Sequence, residues 1–234
     1  MGVFISQKVT QETQAVAHSR GLLVAVVIIG AFVSMLNQTV LSVAQPSLIS
    51  ASDISVSTVQ WLSTGYALIG GILIPISAWM ADLFNTKHLL SVSLALFLAG
   101  TVLAFTAGNF AILLSARLIQ AVGAGILSGL TMTILFSVYP KENRGTPTML
   151  LGIVFGIAPA VGPTLGGYIV DNFGWRYIFG VMAPIILIAL IMSMLFMADV
   201  VPHKPTPLDW LSVASSSVGF GGILYGVSVV SDDG

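Results

Sequence analysis

Long apolar runs separated by short polar segments constrain this chain more than any other feature. An α-helix crosses the hydrocarbon core of a bilayer with about 20 residues, and seven runs reach that length. They cover residues 21–43, 58–80, 88–107, 110–138, 147–170, 175–198 and 211–230. Charged residues make up only 7% of the 234 residues, against about 25% in ordinary globular domains. The sequence therefore predicts an all-α membrane protein with several spans.

The runs divide the chain into four parts. We expect residues 1–20 to form a short, mobile cytoplasmic tail, because they lack the apolar core and cleavage site of a signal peptide. Residues 21–198 hold six spans and form the main bundle. Residues 199–210 are predicted to be a cytoplasmic linker, and residues 211–234 a seventh span with its outer end.

The few basic residues predict the orientation. Six of the eight fall on one side of an alternating path through the membrane, and they are Lys8, Arg20, Lys87, Lys141, Arg144 and Lys204. Arg176 lies on the other side, and Arg117 lies inside the fourth span. Because cytoplasmic loops carry an excess of Lys and Arg, we expect the amino terminus in the cytoplasm.

Composition argues against several other functions. A net charge of −1 leaves no evident basic face for nucleic acid. The absence of cysteine removes thiolate metal sites and thiol nucleophiles. Acidic and histidine residues are too few and too scattered for an active site. We therefore expect neither an enzyme nor a bound metal or cofactor.

Two helix-ending segments repeat one pattern. Residues 78–87 and 167–176 both carry Asp, then Phe, then Asn or Gly, then a basic residue, at identical spacing. The Asn or Gly, Asn85 or Gly174, suits a turn with positive φ. Three spans separate the segments, so they close helices on opposite sides of the membrane. This indicates the inverted three-plus-three repeat of secondary transporters; the alternative is chance similarity between two turns.

Arg117 is the most informative single residue. A charged side chain inside a span is costly unless it faces a cavity or finds hydrogen-bond acceptors. Gln120 lies three residues further on, which places it on the same helix face. Small residues at Ala121, Gly125 and Ser128 allow close approach of another helix. The alternative is an arginine that snorkels towards the outer membrane surface.

The order of the motifs resembles the major facilitator superfamily, in particular its fourteen-span drug:proton antiporters. Residues 113–125 are similar to the family's Leu-x-x-x-Arg-x-x-Gln-Gly-x-Gly-Ala motif, with Ala121 in place of a glycine. The resemblance links Arg117 and Gln120 to proton coupling. The fifth span resembles the antiporter motif Gly-Pro-x-x-Gly-Gly, and its residues are Pro159, Gly162, Pro163, Gly166 and Gly167.

Two further segments resemble the family with substitutions. In the loop after the second span, Asp82 and Lys87 fit a cytoplasmic motif, which implies a gating latch between helix ends; the alternative is that Asp82 merely caps the third span. Asn37 in the first span stands where the family often has aspartate, and an amide carries no proton. Asn37 and Gln38 either contact a solute or satisfy neighbouring helices.

Aromatic and acidic residues complete the comparison with the family. Gln60, Trp61 and Tyr66 open the second span as in the family, and an interfacial aromatic belt explains them equally well.

No span carries a carboxylate near its middle. A proton carrier therefore lies elsewhere, is Asp82, or is missing.

The resemblance implies proton-driven export of small amphipathic compounds, with a proton gradient and no cofactor as the energy source. The expected partners are a small-molecule substrate, membrane lipid and a missing carboxy-terminal half, and the expected location is the plasma membrane. One alternative is a truncated fragment that transports nothing. A seven-span receptor is another, although the seventh span has no lysine for a Schiff base.

Overall fold

The structure is a computed structural model, described for residues 2–52, 54–197 and 199–200 and for six further positions from Leu211 to Gly222. Side chains are described from Gly21 onwards. The predicted seventh span, residues 211–230, and most of the linker at residues 199–210 lie outside the described residues.

Long helices form nearly all of the described chain. Their bounds are α1 Gly2–Ser52, α2 Val56–Leu83, α3 Thr86–Phe105, α4 Phe110–Val138, α5 Gly145–Phe173 and α6 Arg176–Phe196. A single 3₁₀ turn, Lys141–Asn143, precedes α5. Across the described residues, six segments are long and apolar enough to cross a membrane. They coincide with the first six predicted spans, so the all-α multi-span prediction is confirmed.

The first helix is longer than the predicted first span. Its apolar part extends from Gly21 to Ala51, several residues beyond the predicted end at residue 43. Helix continues through Pro46, which removes one backbone hydrogen-bond donor without ending the helix. Residues 2–20 are also helical, and that they form a cytoplasmic tail stays a prediction. Gly2 is the only helix breaker among residues 1–20, so nothing local interrupts the helix.

Polar caps fix where the helices begin. Ser55, Asn85 and Asn109 are the N-cap residues of α2, α3 and α4, and each side-chain oxygen accepts a backbone N–H of the first turn. Gly174 ends α5 with a φ of 91°, as the repeat predicts. The same expectation is wrong for Asn85, whose φ is −56°. Asn85 needs no positive φ because it acts as an N-cap.

Packing joins helices that are distant in sequence. α4 packs mainly against α2 and α3, α1 packs mainly against α5, and α3 packs against α6. Consecutive helices α1 and α2, or α2 and α3, contact each other much less. If α1–α3 are matched to α4–α6 in order, the α1–α5 pair corresponds to the α4–α2 pair. This correspondence is the one that an inverted repeat predicts.

Glycines set the closest helix approaches. A methyl group added to Gly125 of α4 would lie 2.8 Å from Cβ of Leu73 on α2. One added to Gly123 would lie 2.5 Å from the carbonyl oxygen of Ser93 on α3. Two helices therefore approach α4 where it has no side chain, as small residues permit in membrane bundles.

Candidate functional site

Arg117 lies inside the bundle, two turns into α4. Its side chain is completely buried, and Nη1 donates hydrogen bonds to Oδ1 of Asn37 on α1 and to Oε1 of Gln120, the latter at 2.7 Å. The guanidinium does not reach the bundle surface, so the snorkelling alternative does not describe its position. Arg117, Asn37 and Gln120, which the sequence predicts as site residues, are thus brought together.

The hydrogen bonds continue from α4 to α3. Nε2 of Gln120 donates to Oγ1 of Thr101 at 2.8 Å. The hydroxyl of Thr101 donates in turn to the backbone carbonyl of Phe97 at 2.7 Å. Because the amide oxygen and the amide nitrogen of Gln120 both make hydrogen bonds, the orientation of the side chain is fixed, and its oxygen faces the arginine. Thr101 is a site residue that the sequence analysis missed.

An aromatic ring covers the guanidinium. Cζ of Arg117 lies 4.3 Å from the ring centre of Tyr66 on α2, within the range of a cation–π contact. The hydroxyl of Tyr66 lies 3.3 Å from Oγ of Ser34 on α1. Tyr66 is only 6% exposed, so the interfacial-belt interpretation is wrong for this residue. Arg117 therefore joins α1, α2 and α4, and through Gln120 also α3.

The cluster retains unused hydrogen-bonding groups. Nε and Nη2 of Arg117 and Nδ2 of Asn37 are buried and have no hydrogen-bond partner in the described part of the chain. Both partners of Nη1 are neutral amides. Buried polar groups are nearly always satisfied in folded proteins, so unsatisfied ones call for an explanation. The arrangement is a buried cation that can accept a further polar or anionic partner.

Gln38 lies next to the cluster and lines a pocket. The pocket has a volume of about 120 Å³, lies between α1, α4 and α5, and is open on one side. Its lining includes Ser34, Met35 and Gln38 of α1, Ser128 and Thr131 of α4, and Val154 and Phe155 of α5. None of its ten lining residues is ionisable. Asn37 thus accepts a hydrogen bond from Arg117 on the neighbouring helix α4, while Gln38 faces a cavity.

The predicted antiporter motif divides between two faces of α5. A methyl group added to Gly166 would lie 2.9 Å from Cγ1 of Val40, and one added to Gly162 would lie 2.9 Å from Cβ of Thr39. Both glycines let α5 press against α1. Gly167 has nothing within 4 Å of an added methyl group. The structure does not bring these residues to Arg117.

Both prolines of the motif lie within the continuous α5. Pro159 is partly buried and Pro163 is exposed. Each removes one backbone donor from the helix interior without ending the helix.

The predicted gating loop is short and involves one unexpected residue. α2 ends at Leu83 just after Asp82, and α3 begins one residue before Lys87. The carboxylate of Asp199, beyond the end of α6, accepts the backbone N–H of Thr86 at 3.0 Å and Nδ2 of Asn85 at 3.2 Å. The sequence predicts a loop at Asp199 and does not indicate this contact. Its position directly after an apolar span was the available signal.

Comparison with known proteins identifies the family. The family model described as Major Facilitator Superfamily matches residues 27–229. The chain belongs to the major facilitator superfamily. Its members in the curated proteins include the uncharacterized MFS-type transporter YcnB of Bacillus subtilis, 42% identical over 92% of this chain and 46% of YcnB. The lincomycin resistance protein LmrB of Listeria innocua is 37% identical over 91% of this chain and 45% of its own length.

A solved transporter structure shares the fold. The human organic anion transporter MFSD10 superposes with a TM-score of 0.69 at 16% identity, covering 84% of this chain and 53% of that one. The chain thus spans about half the length of the curated relatives that it matches. It is an integral membrane protein of a transporter family.

Proposed function

We propose that this chain forms the amino-terminal half of a transporter that exports small amphipathic compounds in exchange for protons. The observation that carries the proposal is the buried Arg117, whose guanidinium bonds to neutral amides and keeps Nε and Nη2 unused. An arginine in the hydrocarbon region is expensive. The unused donors supply a reason for it, because they can bind a polar group that arrives during transport.

The fixed charge suggests how protons are exchanged. When a carboxyl group from a second bundle comes close to Arg117, the positive charge of the guanidinium stabilises the ionised carboxylate. The carboxyl group then releases its proton. When it moves away, it regains a proton. Within the described residues, Asp82 and Asp171 lie near the ends of α2 and α5 rather than at mid-depth, so the proposal assigns the proton carrier to another part of the transporter. The proton gradient is the energy source, and no cofactor is needed.

The relatives support drug export as the activity. One relative is named for lincomycin resistance, and the chain aligns with about half of its length. We propose that the missing carboxy-terminal half completes the cavity, that the protein lies in the plasma membrane, and that its amino terminus is cytoplasmic. Asp82 and Lys87 then lie at a cytoplasmic gate, near the contact between Asp199 and the start of α3.

The test uses a complete transporter that contains this chain. In a lincomycin-sensitive host, we expect protonophore-sensitive lincomycin efflux, and Arg117→Ala lowers it about tenfold or more, the scale of a lost charged hydrogen bond. Lys141→Ala is the matched control, because it removes an exposed positive charge. Normal membrane insertion of both variants is checked by surface labelling. Unchanged efflux in Arg117→Ala contradicts the proposal.

A second experiment addresses the non-transporting alternative. The half-length match to the relatives favours the expectation that residues 1–234 alone give no proton-driven efflux. Cells that express only these residues are loaded with a fluorescent cation, and its loss is followed with and without a protonophore. Protonophore-sensitive efflux from such cells would show that the bundle works without a second half.

A further inference from the structure

The pocket between α1, α4 and α5 is separate from the hydrogen bonds of Arg117, but one residue of its lining contacts the side chains around Arg117. Ser34 lines the pocket, and its hydroxyl lies 3.3 Å from that of Tyr66. The ring of Tyr66 covers the guanidinium of Arg117. Two side chains therefore connect the pocket wall to the buried cation.

The size of the pocket limits what it can hold. Its volume of about 120 Å³ is close to that of an engineered cavity of about 150 Å³ that holds one benzene molecule. Sites for whole drug-sized ligands are larger, about 300–1,000 Å³. The pocket therefore suits one ring-sized group of a larger compound.

The lining determines the chemistry of that group. Met35, Met132 and Phe155 supply an adaptable apolar surface. None of the lining residues that the structure describes is ionisable, so a charged group would lose its hydration without gaining a counter-charge from them. The positive charge of Arg117 beyond Tyr66 further disfavours a cation.

The polar atoms of the pocket favour a hydrogen-bond donor on the ligand. The hydroxyls of Ser128 and Thr131 already donate to backbone carbonyls of α4, at 2.8 Å and 2.7 Å, and so offer only acceptor positions. The side chain of Gln38 makes no hydrogen bond among the described residues, and it supplies both donors and an acceptor. An uncharged hydroxyl or amide matches this set.

We propose that this pocket binds an uncharged, ring-sized group carrying a hydrogen-bond donor, as part of the exported compound, and that the group competes with Tyr66 for the hydroxyl of Ser34. Binding then loosens Tyr66 from Ser34 and alters the ring that covers Arg117. This inference rests on the proposed export function, because it names the substrate chemistry of that site and its route to the buried cation.

The absence of cysteine from the chain makes a direct test available. Ser128→Cys places a single thiol in the pocket, and Ser115→Cys is the matched control, an exposed serine elsewhere on α4. The 234-residue chain in lipid nanodiscs is labelled with N-ethylmaleimide while benzyl alcohol is added. We expect benzyl alcohol to slow labelling of the Ser128→Cys thiol and to leave the control thiol unchanged. Benzylamine and benzoate, which are charged at neutral pH, should protect neither.

Two further variants test the hydrogen bonds. Gln38→Leu should raise the half-protecting concentration of benzyl alcohol roughly threefold to tenfold, the range of one net hydrogen bond. Tyr66→Phe keeps the ring and frees the Ser34 hydroxyl, so it should lower that concentration. In a Ser34→Ala background, the Tyr66→Phe effect should disappear.

The outcomes separate this inference from the export function. Equal protection by the charged compounds, protection of the control thiol, or an unchanged Tyr66→Phe effect in the Ser34→Ala background would each overturn it. The labelling experiment requires no transport. Protection as expected together with absent lincomycin efflux would contradict the export function while leaving the pocket's binding chemistry intact.

Discussion

At the scale of single residues, Asn37 governs how Arg117 is held. Its amide oxygen accepts a hydrogen bond from Nη1 with both residues fully buried. Asn37→Asp would replace a neutral acceptor by a carboxylate of nearly the same shape. We expect the free energy of unfolding to rise by about 1 kcal/mol, because hydrogen bonds between charged groups are stronger than those to neutral ones. Thermal unfolding of the purified protein measures it.

The control for this prediction removes the acceptor altogether. Asn37→Leu leaves Nη1 with Gln120 alone, and the loss of one partner of a buried charge should lower the free energy of unfolding by about 1–3 kcal/mol. If both variants unfold at the same temperature as the unchanged protein, the contact between Asn37 and Arg117 contributes nothing to stability.

Part of this cluster could be predicted from the sequence. Arg117 and Gln120 share a helix face by their spacing, and the resemblance to the family identified Asn37. The sequence did not indicate Thr101 or Ser34, and it placed Tyr66 only at the start of the second span. Their contacts with the cluster arise only when the helices pack, and local periodicity does not specify which polar residue of one helix meets another.

At the scale of a helix, the contact of α5 with α1 depends on Gly162 and Gly166. Gly166→Ala would place a methyl group 2.9 Å from Val40. We expect the melting temperature to fall, with a loss of about 1–3 kcal/mol, the usual cost of overpacking. Thermal unfolding in detergent provides the measurement.

Gly167 supplies a control from the next position on α5. An added methyl group meets nothing within 4 Å there, and alanine favours helix by about 1 kcal/mol over glycine. Gly167→Ala should therefore leave stability unchanged or raise it. A loss equal to that of Gly166→Ala would show that the two glycines are not distinguished by packing against α1.

The α5 motif shows what sequence patterns can and cannot specify. The glycines and prolines resemble a family motif, and α1 packs against part of the surface that the glycines leave bare. The pattern does not indicate which glycine meets the partner. Gly166 and Gly167 are adjacent, so about 100° of helix rotation separates them, and only the packing of α5 on α1 determines which one is covered.

At the scale of the whole bundle, the first residue of α6 and a residue just beyond its end hold the two ends of α3. Asp199 accepts the N–H of Thr86 at the start of α3, and Arg176 donates to the carbonyl of Ala107 just past its end, at 3.0 Å from Nη2. Each charge has the opposite sign to the partial charge of the helix dipole at that end, so each stabilises α3. Asp199→Asn should speed hydrogen exchange of the Thr86 amide roughly twofold to tenfold, the range expected from a charge at a helix end.

Mass spectrometry with deuterium labelling can follow this exchange. Asp171→Asn removes an exposed carboxylate at the end of α5 instead and should leave the Thr86 amide unchanged. Equal acceleration in both variants would mean that net charge, rather than the contact with Asp199, protects the start of α3.

The global architecture was predictable to the level of helices and class. Hydropathy identified six spans because each needs a continuous apolar run, and the repeat at residues 78–87 and 167–176 indicated the symmetry. The order of packing was not predictable. Similar apolar composition on all helices leaves many pairings open, and close approach at Gly123 and Gly125 depends on the shapes of α2 and α3 as much as on α4.

The pairing of α1 with α5 and of α4 with α2 has a consequence for how far either half of the bundle depends on the other. Each tight pair takes one helix from each repeat, and the helices within α1–α3 have few contacts among themselves. A single three-helix unit would thus leave most of its packing surface facing lipid. A three-helix unit of this shape would therefore become compact only beside a second unit inserted in the opposite orientation.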